Sequence, residues 1–163
     1  MRIDVMAAAD WGEVSAVYGE GIATRNATFE AELPSWEQWD ASHLVGCRFV
    51  ARDASDLLGW AAMSPVSRRH CYRGVAEVSV YVREAARARG VGRALLEHLV
   101  EASEAAGIWT LQGSTFSENE ASLRLQAACG FRVVGHRERI AQMEGRWRDT
   151  VFTERRSSRV GAE

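Results

Sequence analysis

The sequence lacks lysine, and all 20 of its basic residues are arginine. This absence excludes reactions that need a lysine amine, such as Schiff-base formation with pyridoxal phosphate or attack by a lysine nucleophile. It also excludes a Walker-type P-loop, whose lysine contacts nucleotide phosphates. Proline is scarce as well, since Pro34 and Pro65 are the only two, and each lies between periodic segments.

Long apolar runs, excess charge and metal-binding motifs are missing too. No stretch approaches the roughly 20 apolar residues of a membrane helix, and the first residues lack the apolar core of a signal peptide. The net charge of −2 gives no global attraction to nucleic acid or to an anionic membrane. The chain has an odd number of cysteines, which are widely spaced and belong to no CxxC motif: Cys47, Cys71 and Cys129. We therefore expect reduced thiols, no metal and a cytoplasmic location.

The 163 residues, 47% of them hydrophobic, have the size and composition of one globular domain. Hydrophobic periodicity predicts strands at 3–6, 48–52, 57–64, 75–82, 110–114, 131–140 and 147–153, and helices at 11–23, 35–43, 90–106 and 119–128. Asp10 and Ser35 are the expected N-caps of the first two helices, and Ser35 forms a capping box with Gln38. This order predicts an α/β or α+β domain with a mixed sheet.

The segment from Arg87 to Arg93 joins a predicted strand to a predicted helix and contains two glycines. A loop that opens a helix exposes backbone N–H groups and the positive end of the helix dipole. Glycines let an anion approach that backbone, and the arginines add positive charge. Leu95 stands where a Rossmann loop has its third glycine, so the pattern is not a dinucleotide fingerprint. It predicts either a pyrophosphate site of another kind or an ordinary loop with surface arginines.

Several separated motifs resemble the GCN5-related N-acetyltransferases (GNAT). Arg87-x-x-Gly90-x-Gly92 resembles the acyl-CoA loop of that family, and Asn119-x-x-Ser122 followed by Gly130-Phe131 resembles a second family segment. Within the family, the resemblance is to the phosphinothricin acetyltransferase group. It rests on Ala27-Thr28-Phe29-Glu30, Tyr72-Arg73-x-x-x-Glu77-x-Ser79 and Gly145-Arg146-Trp147-x-Asp149, and it extends from about Ile3 to Thr153.

The resemblance implies a single GNAT domain over residues 1–155, followed by a flexible polar tail at 156–163. Its central sheet would be mixed and mostly antiparallel, with about seven strands flanked by about four helices. Acetyl-CoA would be the co-substrate, a small-molecule amine the acceptor, and a homodimer the assembly. The residues implied in cofactor binding are Val80, Tyr81, Val82, Arg87, Ala88, Arg89, Gly90, Val91, Gly92, Arg93 and Asn119. Asn119 is also a good helix N-cap.

Glu77 matches the general base proposed for the family, and it is the only carboxylate within the predicted strand 75–82. An amine must lose a proton before it attacks a thioester, and a carboxylate can accept that proton directly or through water. A backbone N–H near Val80 would stabilise the oxyanion. Many relatives carry a tyrosine or histidine that protonates the leaving thiolate, whereas this chain has Gln126, which cannot. Three alternatives stay open for the thiolate: Tyr81 protonates it, water protonates it, or it leaves without a proton.

The acceptor site implied by the resemblance contains Phe29, Arg69 and Tyr72. Relatives hold the acceptor carboxylate with two arginines, of which Arg69 matches the second and Ser67 replaces the first. One arginine can still bind a carboxylate through two hydrogen bonds. Arg69 could instead belong to a solvated arginine cluster or bind the 3′-phosphate of CoA.

Three functions fit the sequence. The first is an N-acetyltransferase for an amino acid or analogue of the phosphinothricin or methionine sulfoximine type. The second is an acetyltransferase for a peptide N-terminus or a polyamine, although an arginine-rich acceptor loop disfavours a polyamine. The third is an acyl-CoA-binding module without catalysis, which Gln126 favours and Glu77 disfavours.

Overall fold

Seven strands form one sheet in the order β1-β2-β3-β4-β5-β7-β6 in the computed structural model, which describes residues 1–162. They are β1 (Arg2–Val5), β2 (Arg48–Asp53), β3 (Asp56–Pro65), β4 (Val75–Val82), β5 (Thr110–Phe116), β6 (Arg132–Met143) and β7 (Arg146–Arg156). Neighbouring strands are antiparallel except β4 and β5, which are parallel. The predicted mixed, mostly antiparallel sheet is confirmed.

Four helices accompany the sheet, as expected from the sequence. They are α1 (Trp11–Ala23), α2 (Trp36–Ser42), α3 (Val91–Ala105) and α4 (Glu120–Ala128), and short 3₁₀ turns occupy Ala8–Asp10, His70–Tyr72 and Glu84–Ala86. Strands β6 and β7 are longer than predicted, because they pair with each other around the turn at Glu144 and Gly145. Both turn residues have positive φ, +49° and +76°, as a tight hairpin requires.

The two predicted N-caps have different outcomes. The capping box before α2 is confirmed, since the Gln38 N–H donates to the Ser35 hydroxyl and the Ser35 N–H donates to the Gln38 amide oxygen, at 3.2 and 2.9 Å. Asp10 stands at the N-cap position of α1, as predicted, but its side chain makes no capping hydrogen bond to that helix. Its carboxylate instead accepts the Ala7 N–H at 2.9 Å and pairs with Arg52 at 2.6 Å. The capping hydrogen bond is missing because a partner 42 residues away in the chain orients the carboxylate.

Two hydrophobic clusters lie on opposite faces of the sheet, and alternate residues of β3 enter each of them. On one face α1 and α2 bury Val14, Val17 and Trp39 against Trp60. On the other face α3 buries a row of leucines against Met63 and other residues of the sheet. Burial on both faces fixes the position of β4, which runs through the middle of the domain.

Strands β4 and β5 separate soon after they meet. Their parallel pairing covers Val75–Glu77 against Thr110–Gln112. Beyond that point β5 continues to Phe116 in antiparallel register with β7, while β4 continues to Val82 in register with β3. Each strand follows its antiparallel neighbour, so a gap opens between them immediately after Glu77.

The polar tail expected at 156–163 begins in contact with the domain. Strand β7 extends to Arg156, and the buried Ser157 hydroxyl donates to the Glu104 carboxylate of α3 at 2.9 Å. Arg159 pairs with the same carboxylate at 2.6 Å. These contacts join elements that are distant in the chain, so composition alone did not indicate them. Residue 163 lies outside the described residues.

None of the described helices combines the length and the apolar character needed to cross a membrane.

Candidate active site

A cleft of about 990 Å³ opens where β4 and β5 separate. Its walls are β4 from Glu77 to Val82 and β5 from Gly113 to Phe116. The loop before α3, the first turns of α3 and α4, and the segment that follows α1 complete it. A large concave site with convergent polar groups is the expected place for ligand binding.

The free edge of β4 supplies backbone hydrogen-bonding groups to this cleft. The Arg83 N–H donates to the Leu58 carbonyl at 2.8 Å, so Arg83 faces β3. Because backbone groups alternate sides along a strand, those of Val78, Val80 and Val82 point toward the gap. The carbonyl of Val82 accepts a hydrogen bond there from the Arg87 side chain at 3.3 Å. The predicted strand edge therefore lies in the cleft, with the Val80 N–H directed into it.

The loop before α3, which the sequence predicts to bind an anion, lies at one end of the cleft. Gly90 has φ +82° and precedes α3, and a side chain is strained at such a φ. The helix begins with the Ala94 N–H donating to the Gly90 carbonyl, so the N–H groups of the three preceding residues have no partner within the helix. Gly92 allows close packing, since a Cβ there would lie 3.3 Å from Leu125. These donors fit the diphosphate of an acyl-CoA.

All the predicted cofactor residues line the cleft except Arg89. Arg87 and Arg93 line it with the backbone around them, and Arg93 also pairs with Glu97 at 2.7 Å. Arg89 is absent from the lining, because its guanidinium points to Asp53 in the β2–β3 turn at 3.8 Å. Of the three arginines predicted to bind the cofactor, Arg87 and Arg93 therefore lie beside the loop in the cleft.

Asn119 lines the cleft, but its amide is engaged in the fold. The side-chain oxygen caps α4 by accepting the Ser122 N–H at 3.2 Å, and the side-chain nitrogen donates to the Asn26 carbonyl at 2.9 Å. Asn119 thus connects the start of α4 to the segment after α1. The N-cap role considered from the sequence is the one that the structure shows.

Glu77 is the last β4 residue paired with β5, so its side chain lies at the fork where the cleft begins. Burial raises the pKa of this carboxyl above its ordinary value of 4.5, and the positive charge of Arg137 opposes part of the increase. A carboxylate with a raised pKa accepts a proton more readily than an exposed one. The position and the environment of Glu77 suit a proton acceptor.

Tyr81, the side chain considered for thiolate protonation, is not arranged as a good acid, and Gln126 stands in a structural contact. The Tyr81 ring is stacked on Trp60 at 4.7 Å and packed edge-on against Tyr18 at 4.8 Å. Burial raises the pKa of the Tyr81 phenol above its ordinary value of 10.0, which makes it a weaker acid. Gln126 is buried, and its amide nitrogen donates to the Thr115 hydroxyl at 2.8 Å. That side chain bridges α4 and the sheet and has no acidic proton.

Only one of the three predicted acceptor residues lines the cleft. Phe29 does, with its ring packed edge-on against Phe116 at 4.6 Å. Arg69 and Tyr72 lie in the β3–β4 connection, outside the cleft lining, with the guanidinium 5.7 Å from the tyrosine ring. Their role in acceptor binding stays a prediction.

The cleft also contains polar residues that the sequence did not single out. Ser114 is exposed on β5, and Thr150 is buried on β7 with a hydroxyl that has no hydrogen-bond partner within residues 1–162. Both belong to the β5–β7 ladder. No local signal marks them, because the pairing of two strands some 35 residues apart in the chain brings them to the site.

Comparison with known proteins agrees with this geometry. A family model described as "Acetyltransferase (GNAT) family" matches residues 16–131. An L-methionine sulfoximine/L-methionine sulfone acetyltransferase of Pseudomonas paraeruginosa is 32% identical over 150 residues, which are 88% of this chain and 87% of the relative. A phosphinothricin N-acetyltransferase of Alcaligenes faecalis is 34% identical over 157 residues, covering 90% of this chain and 77% of the relative.

A solved structure is similar over nearly the whole chain. It is a GNAT superfamily phosphinothricin acetyltransferase from Sinorhizobium meliloti in complex with AcCoA. The TM-score is 0.90 at 28% sequence identity, and the match covers 99% of this chain and 91% of that chain.

Proposed function

Because this chain belongs to the acetyltransferase (GNAT) family, it is an acetyl-CoA-dependent N-acetyltransferase, and we propose that it acetylates a small amino-acid-like amine with Glu77 as the general base. One observation supports this most directly. Glu77 stands at the fork of β4 and β5, where a proton acceptor, a free strand edge and an anion-binding loop share one cleft.

The residues of the cleft fit acetyl-CoA along its length. The N–H groups of Val91, Gly92 and Arg93 would bind the diphosphate, with Arg87 adding charge. The backbone of Val80 and Val82 would hydrogen-bond the pantetheine arm as a neighbouring strand does. When bound, the co-substrate supplies a thioester whose carbonyl carbon is open to attack by an amine.

The protein's part in the reaction is to move one proton and to stabilise one negative charge. Glu77 accepts the proton that the acceptor amine loses as its nitrogen forms the new C–N bond and the C–S bond breaks. The Val80 N–H donates to the oxygen on which negative charge develops. Neither Gln126 nor Tyr81 is placed to give a proton to the thiolate, so we assign that proton to water.

The acceptor class is supported by the relatives. The curated relatives are named for phosphinothricin and for methionine sulfoximine or sulfone, all of which are amino-acid analogues with an amine and an acidic group. The non-catalytic alternative is disfavoured, since a catalytic site would use the half-buried Glu77 and a pure binding module would not.

Acetyl-CoA turnover, measured as release of free thiol, tests this function. The panel contains phosphinothricin, methionine sulfoximine, methionine sulfone, ordinary amino acids, a short peptide and spermidine. We expect turnover with the amino-acid analogues and little with spermidine. Turnover confined to the peptide would contradict the proposed acceptor class, and silence across the panel with acetyl-CoA still bound would favour the binding module.

We further propose that the protein is a cytoplasmic homodimer. Its three cysteines form no disulfide among the described residues, which suits a reducing compartment. The β6–β7 hairpin carries four exposed apolar side chains, Val133, Val134, Ile140 and Trp147, each at least 44% accessible. Apolar side chains concentrated on one hairpin are typical of a protein interface.

A further inference from the structure

Arg137 on β6 is a half-buried arginine without an ionic or hydrogen-bond partner in the part of the chain that the structure describes. Its guanidinium carbon lies 4.1 Å from the centre of the Phe152 ring. The neighbouring Arg148 differs, because it donates to the Arg25 carbonyl at 2.9 Å and pairs with Glu118 at 3.4 Å. A guanidinium held on an aromatic ring keeps its donors free for a ligand.

The sheet register places this guanidinium on the same face as Glu77. Glu77 lies opposite Gln112, which is two residues from Ser114, and Ser114 lies opposite Phe152. Residues directly opposite each other, and residues two apart on a strand, point to the same face. The ring that carries Arg137 therefore shares a face with the proposed base, and the charge of Arg137 reaches Glu77 strongly enough to oppose the effect of burial on its pKa.

A bulge in β6 shapes the strand beside Arg137. The β6–β7 register shifts between Arg137 and Ala141, and Arg139 within it has φ +47°. The Asp149 carboxylate accepts the Arg139 N–H at 2.7 Å and so fixes the bulge. Bulges next to active sites redirect side chains, and this one follows the residue that carries the free guanidinium.

The surface between the two charges is accessible. Ser114 is exposed, and helix α1 on this face packs mainly on β3 and β4. An acceptor that reached Glu77 from this side would pass beside the Phe152 ring and the guanidinium on it.

We propose that Arg137 binds the carboxylate of the acceptor while Glu77 receives the proton of its amine. An α-amino acid carries its amine and carboxylate on one carbon, so it needs a base and a cation that face a common space. Arg137 meets this requirement from β6, on the face of the sheet that carries Glu77, whereas Arg69 lies in the β3–β4 connection. Neither guanidinium lines the cleft itself, so the carboxylate of the acceptor would extend from the cleft toward the Phe152 ring to reach Arg137. This assignment rests on the proposed acceptor class.

The test compares an acid with its amide. L-methionine sulfone carries a charged carboxylate where L-methionine sulfone carboxamide carries a neutral amide of similar size, and each compound is compared between the variant and its parent. Arg137→Gln should raise KM for the acid about 10- to 100-fold, because that is the loss of affinity expected when a charge-assisted bidentate hydrogen bond is removed. The amide's kcat/KM and the KM for acetyl-CoA should stay within about twofold. Assays on the high-pH plateau of each enzyme's kcat profile, where activity no longer changes with pH, keep the lost charge from acting through the protonation of Glu77.

Two matched variants complete the experiment. Arg132→Gln removes the same charge from the same strand at an exposed ion pair with Glu154, so both substrates should be unaffected. Arg69→Gln tests the rival residue. Equal loss on acid and amide in Arg137→Gln would overturn the assignment, as would acid-selective loss in Arg69→Gln alone. Acetylation of other amines but of neither test compound by the unmodified protein would overturn the proposed acceptor class and this assignment with it.

Discussion

Glu77 shows how a position at a strand fork changes the chemical environment of one residue. Its backbone completes the short β4–β5 ladder, while its side chain lies in the partly buried floor of the cleft. Burial raises the pKa of the carboxyl because the charged form loses hydration. The same glutamate on an exposed strand would have no such property.

Replacing Glu77 by Gln should lower kcat about 10²–10⁴-fold, the usual contribution of a general base. Acetyl-CoA affinity should change little, because the amide keeps the size of the side chain and the loop before α3 is untouched. Single-turnover kinetics and equilibrium binding measure the two effects separately. Glu101→Gln on the exposed side of α3 is the charge-matched control, and a Glu77→Gln enzyme as active as its parent would remove Glu77 from the mechanism.

The pH profile follows from the raised pKa of Glu77. A protonated carboxyl cannot accept a proton, so kcat should fall as pH decreases through a value above 4.5. Glu77→Gln should remove that limb, and Arg137→Gln should move it to higher pH because Arg137 opposes the increase. An acid limb that is the same in all three enzymes would assign it to another group.

Among the elements of the fold, strand β6 carries a bulge directly after Arg137. The bulge depends on the contact between the Asp149 carboxylate and the Arg139 N–H. That contact connects the Gly145-Arg146-Trp147-x-Asp149 motif to the strand that carries Arg137. The motif thus has a local structural role, since its turn closes the hairpin and its aspartate fixes the bulge.

Asp149→Ala should raise KM for an amino-acid acceptor several-fold and leave kcat and the acetyl-CoA KM nearly unchanged, because Asp149 acts through the position of Arg137. Loss of the contact should also cost about 1 kcal/mol of unfolding free energy. Asp149→Asn keeps a side-chain oxygen and should restore part of the KM. Steady-state kinetics with denaturant unfolding distinguish this positioning role from a global loss of stability, in which kcat would fall as well.

For the whole molecule, the exposed apolar hairpin predicts self-association. Trp147 is 56% accessible near the start of β7, and an aromatic residue in an interface contributes strongly to binding. Sedimentation should give twice the chain mass at micromolar concentration. Trp147→Glu should weaken association by more than about tenfold. Val45→Glu, an exposed apolar position away from the hairpin, should not. A monomeric parent protein would refute the dimer.

Most of the fold could be predicted from the sequence because its signals are local. The Ser35 capping box uses groups three residues apart, and the Glu144–Gly145 turn joins adjacent strands. Gly90 marks the start of α3 through its own φ. The predicted anion-binding loop, strand edge and Glu77 lie in one cleft for the same reason, since each belongs to a contiguous segment around β4.

The order of elements, the family and the β4–α3 segment therefore follow from the sequence alone. The separation of β4 and β5 after Glu77 follows from the folded arrangement, because each strand pairs with a different antiparallel neighbour. The folded arrangement also places Arg89 beside Asp53 and pairs the Asn119 amide with the Asn26 carbonyl. Arg69 lies outside the cleft lining. The same arrangement brings Arg137 beside Phe152. These outcomes depend on partners far apart in the chain, whose approach is set by strand register and packing rather than by local sequence.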